Sequence, residues 1–189
     1  MIGIAGLVIH SLQDKDFILM LLLGFLCVVV YLKKRKSPNS KIYFIGFIIS
    51  AIGGFFAEHW GIANGLWEYH ELPDGRNFPY WLPFAWGLAF YFLYDFEKRY
   101  VTTLQLKTLP AKIALTIFAS ALLPTVGEIV AVKTGVWTYY GSYKLLGIPL
   151  YAIALLVLFH TCVFLLLCLI NAYWKMNDPV FVLKKPETR

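Results

Sequence analysis

Charge is scarce in this sequence. Only 15% of its 189 residues are charged, while 59% are hydrophobic. Ordinary soluble domains are about 45–50% apolar, and with a mean hydropathy of +0.66 the long apolar runs read as an integral membrane protein. Cysteine is nearly absent: Cys27, Cys162 and Cys168 all lie inside apolar runs, where a thiol behaves as a small hydrophobe. Neither a disulfide nor a cysteine metal cluster is expected. The sequence has no nucleophile elbow, no Walker loop and no dinucleotide fingerprint, so no cofactor is expected. The stretch Met1 to Ile9 lacks a basic start and is followed by Asp14, Lys15 and Asp16, so it does not read as a cleavable signal.

What is present is a string that occurs twice. Glu58, Gly65, Trp67, Tyr69 and Pro79 recur as Glu128, Gly135, Trp137, Tyr139 and Pro149, each pair 70 residues apart, with Ser50 and Ser120 in the same register upstream. A fixed internal period organises everything else in a chain. It divides this one into an N-terminal segment with a first span (1–40), a first unit (41–110), a second unit (111–175) and a cytoplasmic tail (176–189). Each unit holds two spans joined by an extracytoplasmic loop, 58–78 in the first and 133–146 in the second.

The fold class expected is all-α: a polytopic helical bundle of about five spans, one leading helix followed by two parallel helical hairpins. The spans run Phe17–Leu32, Ile42–Ala57, Pro79–Phe96, Lys112–Val132 and Gly147–Ala172. Residues 58–78 look too polar and too rich in Gly and Pro to continue the second span, Glu97 to Pro110 reads as a polar connection, and the tail from Lys175 reads as frayed. With the N-terminus outside and the C-terminus in the cytoplasm, 13 of the 17 Lys and Arg residues fall on the cytoplasmic side, as the positive-inside rule requires. The net charge of +6 is thus explained by topology, and nucleic acid is not expected as a partner. The location expected is a bacterial inner membrane.

Gly46, Ser50, Gly54 and Glu58 are four apart, along one helix face, matched by Thr116, Ser120, Pro124 and Glu128. Small residues at this spacing let helices approach closely in lipid, and the seam directs both glutamates toward the other hairpin. An ionisable residue in a span is costly and by default functional, although both glutamates lie near the outer ends of their helices, where a hydrated charge is the plainer reading. Gly65 and Gly135 permit the positive φ of a sharp return. Trp67, Tyr69, Trp137 and Tyr139 suit either a membrane-interface belt, with Trp60, Tyr80 and Trp81 on the same rim, or the wall of a pocket over the glutamates. His160, near the middle of the last span, either bonds a neighbouring helix or takes part in chemistry. The acidic and imidazole side chains of the first loop, Glu58, His59, Glu68, His70, Glu71 and Asp74, have no metal-binding spacing, and the second loop offers no counterpart histidine, so no metal is expected.

Glu128-x6-Gly135, the aromatic run to Tyr139 and Tyr140, and Leu146-Gly147-Ile148-Pro149-Leu150 resemble the signature of membrane carotenoid-biosynthesis proteins, the carotenoid hydratases and the small-domain lycopene cyclases. The first unit matches through Glu58, Gly65, Tyr69 and Pro79. The acidic residues that follow the loop proline in the cyclases are replaced here by Leu150 and Tyr151, and by Tyr80 and Trp81. The resemblance implies a helical membrane enzyme that protonates a polyene double bond with a buried carboxylic acid. On this reading Glu58, Glu128 and His160 are the catalytic candidates for a hydratase, isomerase or cyclase, with Trp67, Tyr69, Trp137, Tyr139, Ser50 and Ser120 against an isoprenoid or other lipid-soluble substrate. The alternatives are a transporter or ligand-binding membrane protein built on parallel repeats, and a non-catalytic assembly subunit. The partners expected are the lipid bilayer and a lipid-soluble small molecule; an oligomer is left open.

Overall fold

The structure, a computed structural model, describes residues 2–183. It is an all-α bundle: α1 (Ile2–Ser11), α2 (Asp16–Lys34), α3 (Ser40–Ala63), α4 (Leu82–Thr103), α5 (Leu109–Lys133) and α6 (Leu150–Tyr173). Four short strands occupy the loops: β1 (Trp67–Tyr69), β2 (Trp137–Tyr139), β3 (Lys144–Leu145) and β4 (Ile148–Pro149). Helices α2, α3, α5 and α6 are long and apolar enough to cross a membrane. Phe17, Ile18, Leu21, Leu22 and Phe25 of α2 are exposed, an apolar face that water does not tolerate at this size and that lipid covers.

Four helices therefore meet the criterion where the sequence suggested five spans. The helix that falls outside it is α4, yet α4 runs the length of the bundle. It starts beside β1, where Trp81 meets the Tyr69 ring at 6.1 Å, and it ends before α5, which starts at the opposite end. Its composition is less apolar because its surroundings are protein: Leu82, Leu88, Phe90, Leu93, Tyr94 and Glu97 are all buried. A helix packed on several sides needs less apolar surface than one facing lipid.

Three boundaries differ from the sequence reading in ways that matter. The second span does not end at Ala57; α3 continues to Ala63, which puts Glu58 inside the helix. The third does not end at Phe96; α4 continues to Thr103, which turns Glu97 inward. Residues 144–149, divided in the sequence reading between loop and fifth span, form a small hairpin, with Lys144 opposite Pro149 and Leu145 opposite Ile148. Helix ends explain the first two. After Ala63 the Gly65 N–H donates to Ile62 O and the Leu66 N–H to Gly61 O, with Gly65 at φ 64°. This left-handed cap satisfies the last carbonyls of the helix. It recurs at Gly135 (φ 76°), where the Gly135 and Val136 amides donate to Val132 and Ala131. A polar residue such as Glu58 does not stop a helix; the reversal at Gly65 does.

The glycines of the α3 seam pack against α4, its own hairpin partner. A Cβ on Gly46 would collide with the Phe90 ring, and one on Gly54 with the Trp86 ring. Lipid supplies no hydrophobic drive between helices, so this close van der Waals contact is what holds the pair. Gly87 returns the contact from α4, where a Cβ would lie 2.6 Å from Phe47.

The tail is not frayed over its described part. Asp178, Val180 and Phe181 are buried, and Phe181 stacks on Tyr94 at 5.9 Å and touches Phe164 at 5.5 Å. Residues 184–189, with Lys184, Lys185 and Arg189 of the basic count, lie outside the described residues. The start is ordered too: α1 packs on α5, and the fully buried Asp16 at the head of α2 is paired with Arg76 of the first loop at 2.7 Å.

Candidate functional site: two carboxylates under a paired ladder

Glu58 lies about one and a half turns before the end of α3. The left-handed cap turns the chain back over the helix end, and β1 then runs past the glutamate. Alternate residues of a strand share a face, so Trp67 and Tyr69 both reach the same side chain. Glu58 Oε2 accepts from Trp67 Nε1 at 2.8 Å and from Tyr69 OH at 3.1 Å. The second unit repeats the construction: Glu128 Oε2 accepts from Trp137 Nε1 at 3.1 Å and from Tyr139 OH at 2.7 Å. Trp67, Tyr69, Trp137 and Tyr139 therefore spend their polar atoms on the carboxylates rather than on the water interface. Of the expected rim, Trp60 and Tyr80 are exposed, whereas Trp81 is buried.

The two loops are joined. β1 pairs antiparallel with β2, Trp67 opposite Tyr139, Glu68 opposite Thr138 and Tyr69 opposite Trp137. Tyr140 N–H to Leu66 O (2.9 Å) and His70 N–H to Val136 O (3.0 Å) extend the ladder at both ends, and His70 Nε2 meets the Thr138 hydroxyl at 2.8 Å. The central pair, Glu68 and Thr138, is itself 70 residues apart in sequence, so the ladder is symmetric about the sequence period. The ring contacts obey the same symmetry, Trp67 on Tyr139 at 5.6 Å and Tyr69 on Trp137 at 5.3 Å.

The phenols report how close the groups are. Burial, then the Glu58 charge, with Tyr139 and Glu128 adding to it, pushes the Tyr69 hydroxyl well above the usual tyrosine range. Burial, then Glu128 and Glu58, does the same for Tyr139. Each phenol thus senses both carboxylates and keeps its proton, remaining a donor. Glu58, Tyr69, Tyr139 and Glu128 form one cluster.

The two carboxylates differ in their donors. Glu58 Oε1 accepts a third bond, from Trp86 Nε1 of α4 at 3.2 Å; the residue in register with Trp86 is Leu156, which has no donor. Among the described residues Glu128 Oε1 accepts no hydrogen bond, and both glutamates retain some exposed surface.

The other candidates lie apart. His160 is buried with its Nε2 unpartnered; its ring is 5.9 Å from Trp86, so it touches the site only through that indole. Ser50 and Ser120 are fully buried about 12 Å down their helices from the glutamates, at 1.5 Å per residue. The Ser120 hydroxyl is taken up by the Thr116 carbonyl at 2.7 Å. Trp86 escaped the sequence reading because it falls outside the repeated string; the small residue Gly54, which it fills, was the available signal. Asp16 and Glu97 escaped because they were assigned to helix ends and connections.

The chain matches no protein-family model, no curated protein and no solved structure. The class defined by fold and site is therefore a membrane helical bundle with two carboxylates held under a paired aromatic ladder.

Proposed function

We propose that the protein acts on an isoprenoid or other lipid-soluble substrate by carboxylic acid catalysis, with Glu128 as the acid and Glu58 as its partner carboxyl. One observation carries this reading: Glu58 is engaged by donors on both oxygens, while among the described residues Glu128 accepts hydrogen bonds on Oε2 alone. Indole N–H groups only donate, so the Trp67 and Trp86 bonds occupy both oxygens of Glu58 as acceptors. The free Oε1 of Glu128 is the atom available to carry and deliver a proton. Protonating a double bond leaves a carbocation. Loss of a proton from a neighbouring carbon gives an isomerised or cyclised product, and capture of water with loss of its proton gives a hydrated one. In either case a carboxylate of the pair takes the proton back, and the proton count is restored. The sequence resemblance to carotenoid hydratases and small-domain lycopene cyclases supports the same chemistry. So does the 70-residue period, read as an internal repeat whose two units face each other about an axis along the membrane normal, as in one class of membrane protein.

The orientation proposed is ladder outside. Lys33, Lys34, Arg35, Lys36, Lys41, Lys98, Arg99, Lys107 and Lys175 gather at the far end of the bundle, which the positive-inside rule assigns to the cytoplasm, in keeping with a bacterial inner membrane.

The test is turnover of an acyclic polyene by the purified protein in nanodiscs, followed by absorption spectrum and product mass. Glu58→Gln and Glu128→Gln each abolish conversion with unchanged thermal melting, and the double variant is little worse than either alone, as for groups acting as a unit. A wild-type protein that leaves the polyene unchanged, and whose lipid extract holds no isoprenoid by native mass spectrometry, refutes the proposal.

A further inference from the structure

Between the middle of the bundle and its basic end lies a second set of largely buried polar groups. His160 of α6 and Glu97 of α4, only 5% and 6% exposed, line one cavity with about 10 Å³ of space for the centre of a water. That is about the space one water requires. Its remaining wall is aromatic and aliphatic, including Phe90, Tyr94, Phe164 and Phe181. Among the described residues the Nε2 of His160 has no hydrogen-bond partner. A buried polar atom left without a partner is costly and rare, and a small cavity that offers polar partners is where an ordered water belongs.

The segment after α6 covers the cavity on its basic side and is held there by α4, α5 and α6. Tyr94 OH of α4 donates to Asp178 Oδ2 at 2.6 Å. Lys112 Nζ of α5 donates to the carbonyls of Pro179 at 2.8 Å and Val182 at 2.9 Å. Asn171 Oδ1 of α6 accepts from the Asp178 amide at 3.0 Å. Phe181, 1% exposed, is the face this segment presents to the cavity.

We infer that this cavity holds a single internal water, hydrogen-bonded to His160 Nε2 and the Glu97 carboxyl and sealed in by Phe181, which makes a second acid–base site separate from the Glu58–Glu128 pair. A water between an imidazole nitrogen and a carboxyl accepts a proton from one and gives one to the other, so a proton moves between α4 and α6 with no net change in the water. The titratable groups facing this region are Tyr94 and Glu97 of α4, Lys112 of α5, His160 and Cys168 of α6, and Asp178 of the closing segment. Thr116 of α5 flanks the Glu97 carboxyl. Lys112 is the one cation among them, and it is spent on backbone carbonyls, so the water is the link through which His160 and Glu97 communicate. The inference rests on this cavity alone and stands whether or not the ladder site is catalytic.

The experiment is nuclear magnetic resonance of the full chain in nanodiscs with its histidines isotopically labelled, the His160 ring signal being assigned by its loss in His160→Gln. The water site gives a cross-peak between the His160 ring and a long-lived water. Glu97→Gln, which keeps an acceptor in place, retains that cross-peak; Glu97→Leu removes it. Phe181→Ala leaves the water bound but speeds its exchange with bulk at least tenfold. A His160 ring with no water cross-peak overturns the inference, and so does a cross-peak unaffected by Glu97→Leu. Should Glu97→Leu fail to fold, Phe181→Ala decides: exchange unchanged from wild type removes the sealed site.

Discussion

Trp67 and Tyr139 sit opposite each other in the ladder, their rings 5.6 Å apart, yet they serve different carboxylates: Trp67 donates to Glu58 and Tyr139 to Glu128. The ladder therefore crosses the two sites over. Each strand offers two donors to its own glutamate, and the ring of each donor packs on a ring of the other strand, so neither glutamate can be displaced without disturbing the pairing of both loops.

The donors are not equivalent, and their removal separates them. Tyr139→Phe leaves Glu128 with a single donor, whereas Tyr69→Phe leaves Glu58 with two. With Glu128 holding its proton the bond joins neutral groups and is worth about 0.5–1.5 kcal/mol net. Tyr139→Phe is expected to cost that much in thermal or denaturant melts in detergent, and Tyr69→Phe distinctly less. Equal losses would contradict the asymmetry assigned to Trp86.

The α3–α4 contact is tested at Gly54. Gly54→Leu drives a side chain into the Trp86 ring and should destabilise by about 1–3 kcal/mol, the usual range for overpacking. Because Trp86 also holds Glu58, it should depress any activity of the site as well. Ile48→Leu, at an exposed position of the same helix, should be nearly neutral in both assays.

Alkaline pH is the informative range for the ladder. Tyr69 and Tyr139 have folded-state pKa values well above the usual tyrosine range, first through burial and then through the carboxylates. A raised pKa contributes stability that is complete below the unfolded value, about 10 for tyrosine, and is lost as pH rises from there toward the folded value. The melting temperature should hold from neutral pH to about 9 and fall above about 10. In Tyr69→Phe/Tyr139→Phe the fall should be shallower. A fall of the same steepness in that variant would show that other groups set it.

Topology is tested by single cysteines placed in a background lacking Cys27, Cys162 and Cys168. Asn77, Ser142 and Thr103 are all exposed. With the ladder outside, cysteines at Asn77 and Ser142 react with an impermeant thiol reagent in intact cells and one at Thr103 does not. Labelling at Thr103 alone would invert the orientation.

Much of this was legible in the sequence, for a physical reason. Apolar runs announce helices in lipid because the bilayer demands them. The glycines at 65 and 135 announce their turns because few other residues accept a positive φ. What the sequence concealed was set by tertiary contact. Glu58 and Glu97 look like loop residues because they are charged, but helix ends are decided by caps, which lie five or more positions further on in each case. The seam was visible in the spacing of Gly46 and Gly54, but nothing in the spacing says which neighbour fills it. Ser50 and Ser120 share the repeat register, yet one helix bond by Ser120 to Thr116 takes up the hydroxyl that the register had suggested for a ligand. The buried pairings of Asp16 with Arg76 and of Asp178 with Tyr94 leave no trace in the sequence, because the partners are remote along the chain.

The ladder also sets a timetable for assembly. Its strands are 70 residues apart in the chain, and contacts of high sequence separation form late because the intervening loop must close first. When α3 has entered the membrane and its cap is complete, β1 has no partner, and the donors of Glu58 stand on an unpaired strand until α4 and α5 have followed. The first carboxylate therefore waits for the second half of the protein, and both sites come into being in the same closing step.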